Sequence, residues 1–263
     1  MIDCHTHTNL SHDGNYSAKE MVAQANKLGL IYYAITDHMD RDYIDFCPSF
    51  YQINLDTLTE KVFEVKDQKG MFVALGVECG YSKSAEQRYA EELPKYPFDI
   101  ILNSLHTLDD IDIYFPDFFE DKTQREAYGK YFLGVLDSVN ALYPYDVITH
   151  LGYVIRNAPY SPKTVIYSEY ADYLDEILKT IIKKGKCLEV NANITCERYG
   201  FYPNKEILTR YKQLGGEQLS FGSDAHRIER IGTNYDTIGN EVKSLGFKYY
   251  TVFKQRKPYF VEI

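Results

Sequence analysis

Residues 2–14 read IDCHTHTNLSHDG. A short apolar start runs into His5-Thr-His7, and a second polar step, Ser11-His12-Asp13-Gly14, follows at once. On an extended segment, residues two apart project to the same side, so His5 and His7 form a pair. The same spacing returns near the other end of the chain, where residues 222–226 read GSDAH and pair Asp224 with His226. The chain has seven histidines, at 5, 7, 12, 38, 106, 150 and 226. Where they fall relative to the apolar runs decides the fold.

Short apolar runs at 1–5, 30–36, 71–78, 99–105, 146–150, 186–191, 218–222 and 248–253 read as strands. Longer helical patterns fill the gaps. Ser17-Ala-Lys-Glu20 and Thr123-Gln-Arg-Glu126 are capping boxes, the second opening a segment that reaches about Leu142. Gly29 stands where the first of these helices should stop. Residues 167–184 carry apolar side chains at a helical period before Gly185, and Asn204 fits the cap of a short helix ending near Gly215-Gly216. Strand-then-helix alternation of this kind predicts a parallel β/α barrel in one domain over residues 1–263. Residues 107–122 (TLDDIDIYFPDFFEDK) break the pattern and read as an acidic, aromatic loop that could cover an active site.

On this map every histidine lies at the C-terminal end of a strand or in the loop just after it. Glu78 ends the third strand and Asp224 follows the seventh. A β/α barrel gathers its active site on that face. Any one histidine could be a hydrogen-bonded structural residue, but seven sharing one end of a barrel point to ligands. Imidazole and carboxylate together suit zinc, iron or manganese. Eight or nine such ligands exceed what one tetrahedral ion can use, so two or three divalent ions are implied.

The bulk properties narrow the class. Hydrophobic content of 44% and charged content of 25% are those of a globular domain. A net charge of -9 argues against a nucleic-acid binder held by a basic surface. Five scattered cysteines (4, 47, 79, 187, 196) with no CxxC pair read as reduced thiols. Cys4 and Cys79, each next to a candidate ligand, should alternate away from it as packing residues. No run approaches the ~18 apolar residues of a membrane span, and no basic-then-apolar leader opens the sequence. A cytoplasmic protein with no membrane or nucleic-acid partner is expected.

The ordered set HTH at 5–7, TDH at 36–38, Glu78, SLH at 104–106, THLG at 149–152 and GSDAH at 222–226 resembles the polymerase and histidinol phosphatase (PHP) superfamily. It spans Asp3 to His226, and its length resembles the stand-alone histidinol-phosphatase branch. The resemblance implies a distorted barrel of seven β/α units with a trinuclear metal site. It implies that His5, His7, Glu78 and Asp224 hold a first ion. Glu78, His106 and His150 would hold a second, with Glu78 bridging. His38 and His226 would hold a third, with one ligand from the first loop. Both His12 and Asp13 are available there; Asp13 precedes Gly14, as in the family's Asp-Gly pair, which favours it.

The activity so implied is phosphomonoester hydrolysis of a small molecule, with L-histidinol phosphate as substrate. A hydroxide bridging two ions would attack phosphorus. Asp13, His12 or ion-bound water would protonate the leaving alkoxide. Arg156 and Arg198 are candidates for clamping the phosphate, since a guanidinium matches phosphate in two-point geometry. Asn191 and Asn193 lie at the matching end of the sixth strand. Asp109, Asp110 and Asp112 of the 107–122 loop offer acids to a cationic substrate. The competing readings are a PHP phosphodiesterase or exonuclease, a protein-tyrosine phosphatase of the same superfamily, and a non-catalytic PHP module. The last should have lost ligands, and this chain keeps the set.

Overall fold

The computed structural model describes residues 1–41, 52–193 and 200–263. Among the described residues, seven parallel strands carry the architecture: β1 (Ile2–Asp3), β2 (Tyr32–Ile35), β5 (Met71–Gly80), β6 (Ile100–Ser104), β9 (Val147–Ile148), β10 (Cys187–Asn191) and β11 (Leu219–Gly222). They lie side by side in that order, and two short strands, β3 (His38–Met39) and β4 (Asp67–Gln68), pair with β5 beside them. Backbone hydrogen bonds from Cys4 to Phe221 and from Asp224 to His5, each 2.9 Å, bring β11 back to β1. The parallel sheet is thus nearly closed into a barrel.

A helix follows each barrel strand. These are α1 (Ala18–Lys27), α2 (Leu55–Val65), α3 (Glu86–Glu92), α4 (Gln124–Val139), α5 (Ala171–Lys183), α6 (Lys205–Gln213) and α7 (Tyr235–Ser244). Their ends follow from local chemistry. Ser17 and Glu20 close a reciprocal capping box on α1, and Thr123 and Glu126 do the same on α4. The Asn204 side chain accepts from Ile207 N at 3.1 Å to start α6. In α5 the side chains of Leu174, Ile177, Leu178 and Ile181 are fully buried. Each such side chain contributes about 1.5–3 kcal/mol by leaving water, which is what holds the helix to the sheet.

Some expectations shift. The helical pattern over 167–184 splits into a 3₁₀ turn at Tyr167–Glu169 and then α5. The 107–122 stretch is more ordered than a loop. It holds a hairpin, β7 (Thr107–Leu108) with β8 (Ile111–Asp112), and a 3₁₀ turn at Pro116–Phe119. The last apolar run, β12 (Tyr249–Lys254), does not join the barrel sheet. It pairs antiparallel with a strand the sequence did not suggest, β13 (Lys257–Glu262). The hairpin tip lies at the N-terminal end of the barrel. There Asp99, at the start of β6, accepts Gln255 N at 2.9 Å, and Asp146, at the start of β9, binds the Arg256 guanidinium. Cys4, Cys79 and Cys187 are buried packing residues; Cys47 and Cys196 lie outside the described residues.

Candidate active site

Strand ends place the histidines. His5 leaves β1 and His7 follows two residues on, both fully buried, their ring centroids 5.1 Å apart. The His7 ring stacks on His38 at 4.3 Å and on His226 at 4.1 Å. His106, after β6, is 5.4 Å from His150, after β9. His12 reaches the same cluster, its ring 5.6 Å from His38. All seven rings therefore meet at the C-terminal end of the barrel, as their sequence positions predicted.

Glu78 sits among them, fully buried. Its Oε2 is 3.2 Å from His5 Nε2 and 2.9 Å from His38 Nδ1, while its Oε1 is 2.9 Å from His150 Nε2 and 3.3 Å from His106 Nε2. One carboxylate thus faces both sides of the cluster, the position a bridging group needs. Asp224 Oδ1 is 3.3 Å from His7 Nε2 and 3.8 Å from His5 Nε2. Asp13 Oδ2 is 3.0 Å from His226 Nε2 and 3.7 Å from His38 Nε2. Of the two first-loop candidates, Asp13 therefore points its carboxylate at His38 and His226, while His12 stands beside Asp13 at 3.8 Å.

Among the described residues, four groups have donor atoms close enough to share an ion: His5–His7–Asp224, Glu78–His106–His150, His7–His38–His226 and His38–Asp40–His106. The donor chemistry fits a transition-metal dication. The hydrogen bonding fits as well. Nε2 of His5, His7 and His226, Nδ1 of His38 and Oε2 of Glu78 are buried without a hydrogen bond. Buried polar atoms are rarely left so unless something else satisfies them.

The electrostatics of the cluster oppose burial. Burial disfavours charge on His5, but Glu78, Glu189 and Asp224 hold its pKa well above the ordinary imidazole value. His38 is raised likewise by Glu78 and Asp13, and His106 is raised to about 10 by Asp40 and Glu78. Burial, then the neighbouring His226 and His38, push His7 well below its usual range, and burial lowers His12 to about 4. Despite burial, the histidines hold Glu78, Asp224 and Asp13 well below the ordinary carboxylate range.

Above the cluster opens a cavity of about 320 Å³, enough for a small molecule and lined in part by Asp112, Tyr114, Phe115, Tyr153 and Arg156. Arg156 is cradled by two aromatic faces, its guanidinium carbon 5.8 Å from the Tyr114 ring and 5.9 Å from that of Tyr153. Asn157 donates to the Tyr114 carbonyl at 2.9 Å, tying the 107–122 segment to the loop that carries Arg156. Of the three acids named in that segment, Asp112 lines the cavity. Asp109 pairs with Lys130 at 2.7 Å instead, and Asp109 and Asp110 form the hairpin turn away from it. Arg198 lies outside the described residues. Asn193 donates to Asp224 Oδ2 at 3.1 Å, orienting that carboxylate.

Three carboxylates, Asp37 and Glu189 buried and Asp40 half-buried, have no role in the sequence analysis. Asp40 Oδ1 is 2.8 Å from His106 Nδ1. It is two residues past His38, the same spacing as His5/His7 and Asp224/His226, so a signal was present. Gly80 makes room for it, since a Cβ there would overlap the Asp40 carboxylate. Asp37 takes Thr8 N at 2.6 Å and the Ser11 hydroxyl at 2.7 Å, folding the first loop down toward the cluster. Glu189 backs His5, with Oε1 2.6 Å from its Nδ1. Its only signal is an acid inside the apolar strand β10.

A family model described as the PHP domain matches residues 3–193. The chain belongs to the PHP family. The match stops short of Asp224 and His226, which the barrel nonetheless carries to the same PHP site. Among curated relatives, the histidinol-phosphatase of Lactococcus lactis subsp. lactis is 28% identical over 262 residues, 97% of this chain and 95% of the relative. A probable histidinol-phosphatase of Clostridium acetobutylicum is 29% identical over 237 residues, 89% of this chain and 90% of the relative. The crystal structure of histidinol phosphate phosphatase from Lactococcus lactis, complexed with zinc, L-histidinol and phosphate, matches with a TM-score of 0.90 and 27% identity over 98% of each chain. The barrel here thus has the fold of a PHP histidinol phosphatase. Among the described residues, no helix is long and apolar enough to cross a membrane.

Proposed function

We propose that the chain is a metal-dependent histidinol-phosphatase, cleaving L-histidinol phosphate to L-histidinol and phosphate within one catalytic domain over residues 1–263. The observation that carries this reading is the convergence of seven histidines with Glu78, Asp224 and Asp13 beneath a cavity whose wall holds Arg156. His5, His7, Glu78 and Asp224 would hold one divalent ion, Glu78, His106 and His150 a second, and His38, His226 and Asp13 a third. Such ions, when bound, lower the pKa of coordinated water and screen charge on a phosphoryl group.

The chain's own residues do the rest. Arg156, held between Tyr114 and Tyr153, presents a fixed guanidinium to the phosphoryl oxygens and loses little freedom on binding. Arg198 is a second candidate for that clamp. Tyr114 and Phe115 cover the substrate and exclude water, and Asp112 offers a carboxylate to the cationic end of an amino-alcohol substrate. His12 stands beside Asp13 at the cavity edge; lowered to about 4, it is neutral near pH 7 and would take a proton from water before passing it to the leaving alkoxide, while Asp13 stays ionised as an ion ligand.

Zinc is the metal to try first, because the Lactococcus lactis structure holds it. The test is turnover of L-histidinol phosphate beside a phosphodiester and a phosphotyrosyl peptide, with metal content measured on the same preparation. Clear preference for histidinol phosphate by a protein carrying at least two metal equivalents supports the reading. Equal or better activity on the diester, or fewer than two equivalents in protein purified without chelator, contradicts it.

A further inference from the structure

Glu189 is at the centre of β10, its side chain 1% exposed, and it does not line the cavity. Each of its oxygens is given to a different histidine. Oε1 is 2.6 Å from the His5 ring at Nδ1, and Oε2 accepts the backbone N–H of His150 at 2.6 Å. Asn191 Nδ2 steadies Oε2 at 3.1 Å. The far nitrogen of His5 faces Glu78 and Asp224, and the His150 ring faces the other oxygen of Glu78. Glu189 therefore stands behind members of two separate donor groups, His5–His7–Asp224 and Glu78–His106–His150.

Space is kept for it. A Cβ at Gly222 would fall on Glu189 Oε1 and lie 2.7 Å from His5 Cβ. The turn it grips also needs an anchor, since His150 has a φ of 21°, unusual for a residue with a side chain.

We propose that Glu189 is a positioning residue that ties two ion positions to each other. This rests on the reading above that both donor groups hold ions. The mechanism is geometric. A carboxylate accepting from Nδ1–H fixes the imidazole tautomer, so the Nε2 lone pair of His5 points at the ion. The other oxygen fixes the backbone from which the His150 ring projects. Rotating the one carboxylate would disturb both donors, so the two sites share a single rigid support.

The test compares zinc binding to the full-length wild type and to Glu189→Gln, with circular dichroism and a thermal melt to confirm the fold. Glutamine keeps the shape but loses the charge that strengthens both contacts and sets an N–H against one of the two donors, so it holds neither as the carboxylate does. Affinity for two zinc ions should fall together, each by about 10–100-fold. Loss confined to one ion, or affinities within about twofold of wild type, overturns the proposal. A wild type that binds no zinc overturns instead the reading on which it rests. Should Glu189→Gln fail to fold, long-range proton–nitrogen correlation on the zinc-loaded wild type decides. A proton retained on His5 Nδ1, with a strongly downfield His150 amide, supports the proposal; an unprotonated Nδ1 overturns it.

Discussion

Two pairs of buried carboxylates, one at each end of the barrel, are used in opposite ways. At the N-terminal end, Asp99 accepts from Leu75 N at 3.1 Å and from Gln255 N at 2.9 Å. Asp146 accepts from Ile101 N at 2.9 Å and holds the Arg256 guanidinium, with Nη2 at 2.9 Å. These acids are satisfied by donors fixed in the fold, and they clamp the β12–β13 hairpin. At the C-terminal end, Glu78 and Asp224 face histidines at 2.9–3.8 Å, and several of the facing atoms have no hydrogen bond. Saturated polar groups hold a structure together; unsaturated ones, grouped and aimed at one point, are ready to take a ligand. Substitutions at one end should therefore move function, and at the other end stability.

The largest functional effect is expected at Glu78. Glu78→Gln removes the charge that faces His5 and His38 on one side and His106 and His150 on the other, so kcat/KM should drop by more than about 100-fold, beyond the usual effect of a ligand's outer partner. Metal analysis should show loss of ions in a protein that still gives the folded circular dichroism spectrum. Next comes Arg156→Ala, which should lower kcat/KM by about 100-fold through lost charge-assisted contacts to the phosphoryl group. Metal content should stay intact, and loss of metal would instead place Arg156 in the ion site.

At the opposite end, Arg256→Ala leaves Asp146 buried without its cation. The pair is partly exposed, so the cost should be about 2 kcal/mol, less than for a fully buried pair. That corresponds to a fall in melting temperature of roughly 4–8 °C for a chain of this size, with kcat at 25 °C unchanged. A loss of activity without a loss of stability would dissolve the contrast between the two ends.

A smaller effect is expected from pH. Without ions, His5, His38 and His106 have raised pKa values and so carry protons near neutral pH. A cation must displace those protons, so zinc affinity should weaken steadily as pH falls below 7 and strengthen above it. Calorimetry in buffers of different ionisation enthalpy should detect proton release on binding; no release would contradict the charge state described.

How much of this was legible in the sequence depended on distance along the chain. The histidines could be placed because each lies just past a strand end, and a strand end is a local property. The resemblance favours Asp13 over His12 through its Asp13-Gly14 pair, and in the structure the Asp13 carboxylate faces His226 and His38. Asp40 carries the same two-residue spacing from His38, and that spacing is its signal. Glu189 was less accessible, because its meaning comes from His5, 184 positions away. The β12–β13 hairpin was hidden for a similar reason. Its turn, Gln255-Arg256, has φ of 49° and 64° without the glycine or asparagine that usually signals such a turn. Asp99 and Asp146 hold it there from the far side of the barrel. The acidic, aromatic run at 107–122 points to an active-site cover, and Tyr114 and Phe115 line the cavity. Its hairpin was missed because the pairing strands are only two residues each.

The central claim is that the C-terminal cluster is a multinuclear site for hydrolysis of a small phosphomonoester. The most direct measurement is a zinc titration of the chelator-stripped protein, with bound metal and L-histidinol phosphate turnover followed together. The account predicts negligible turnover in the stripped protein and recovery that saturates between about two and three bound equivalents. Full turnover in the stripped protein, or saturation at a single equivalent, would contradict it.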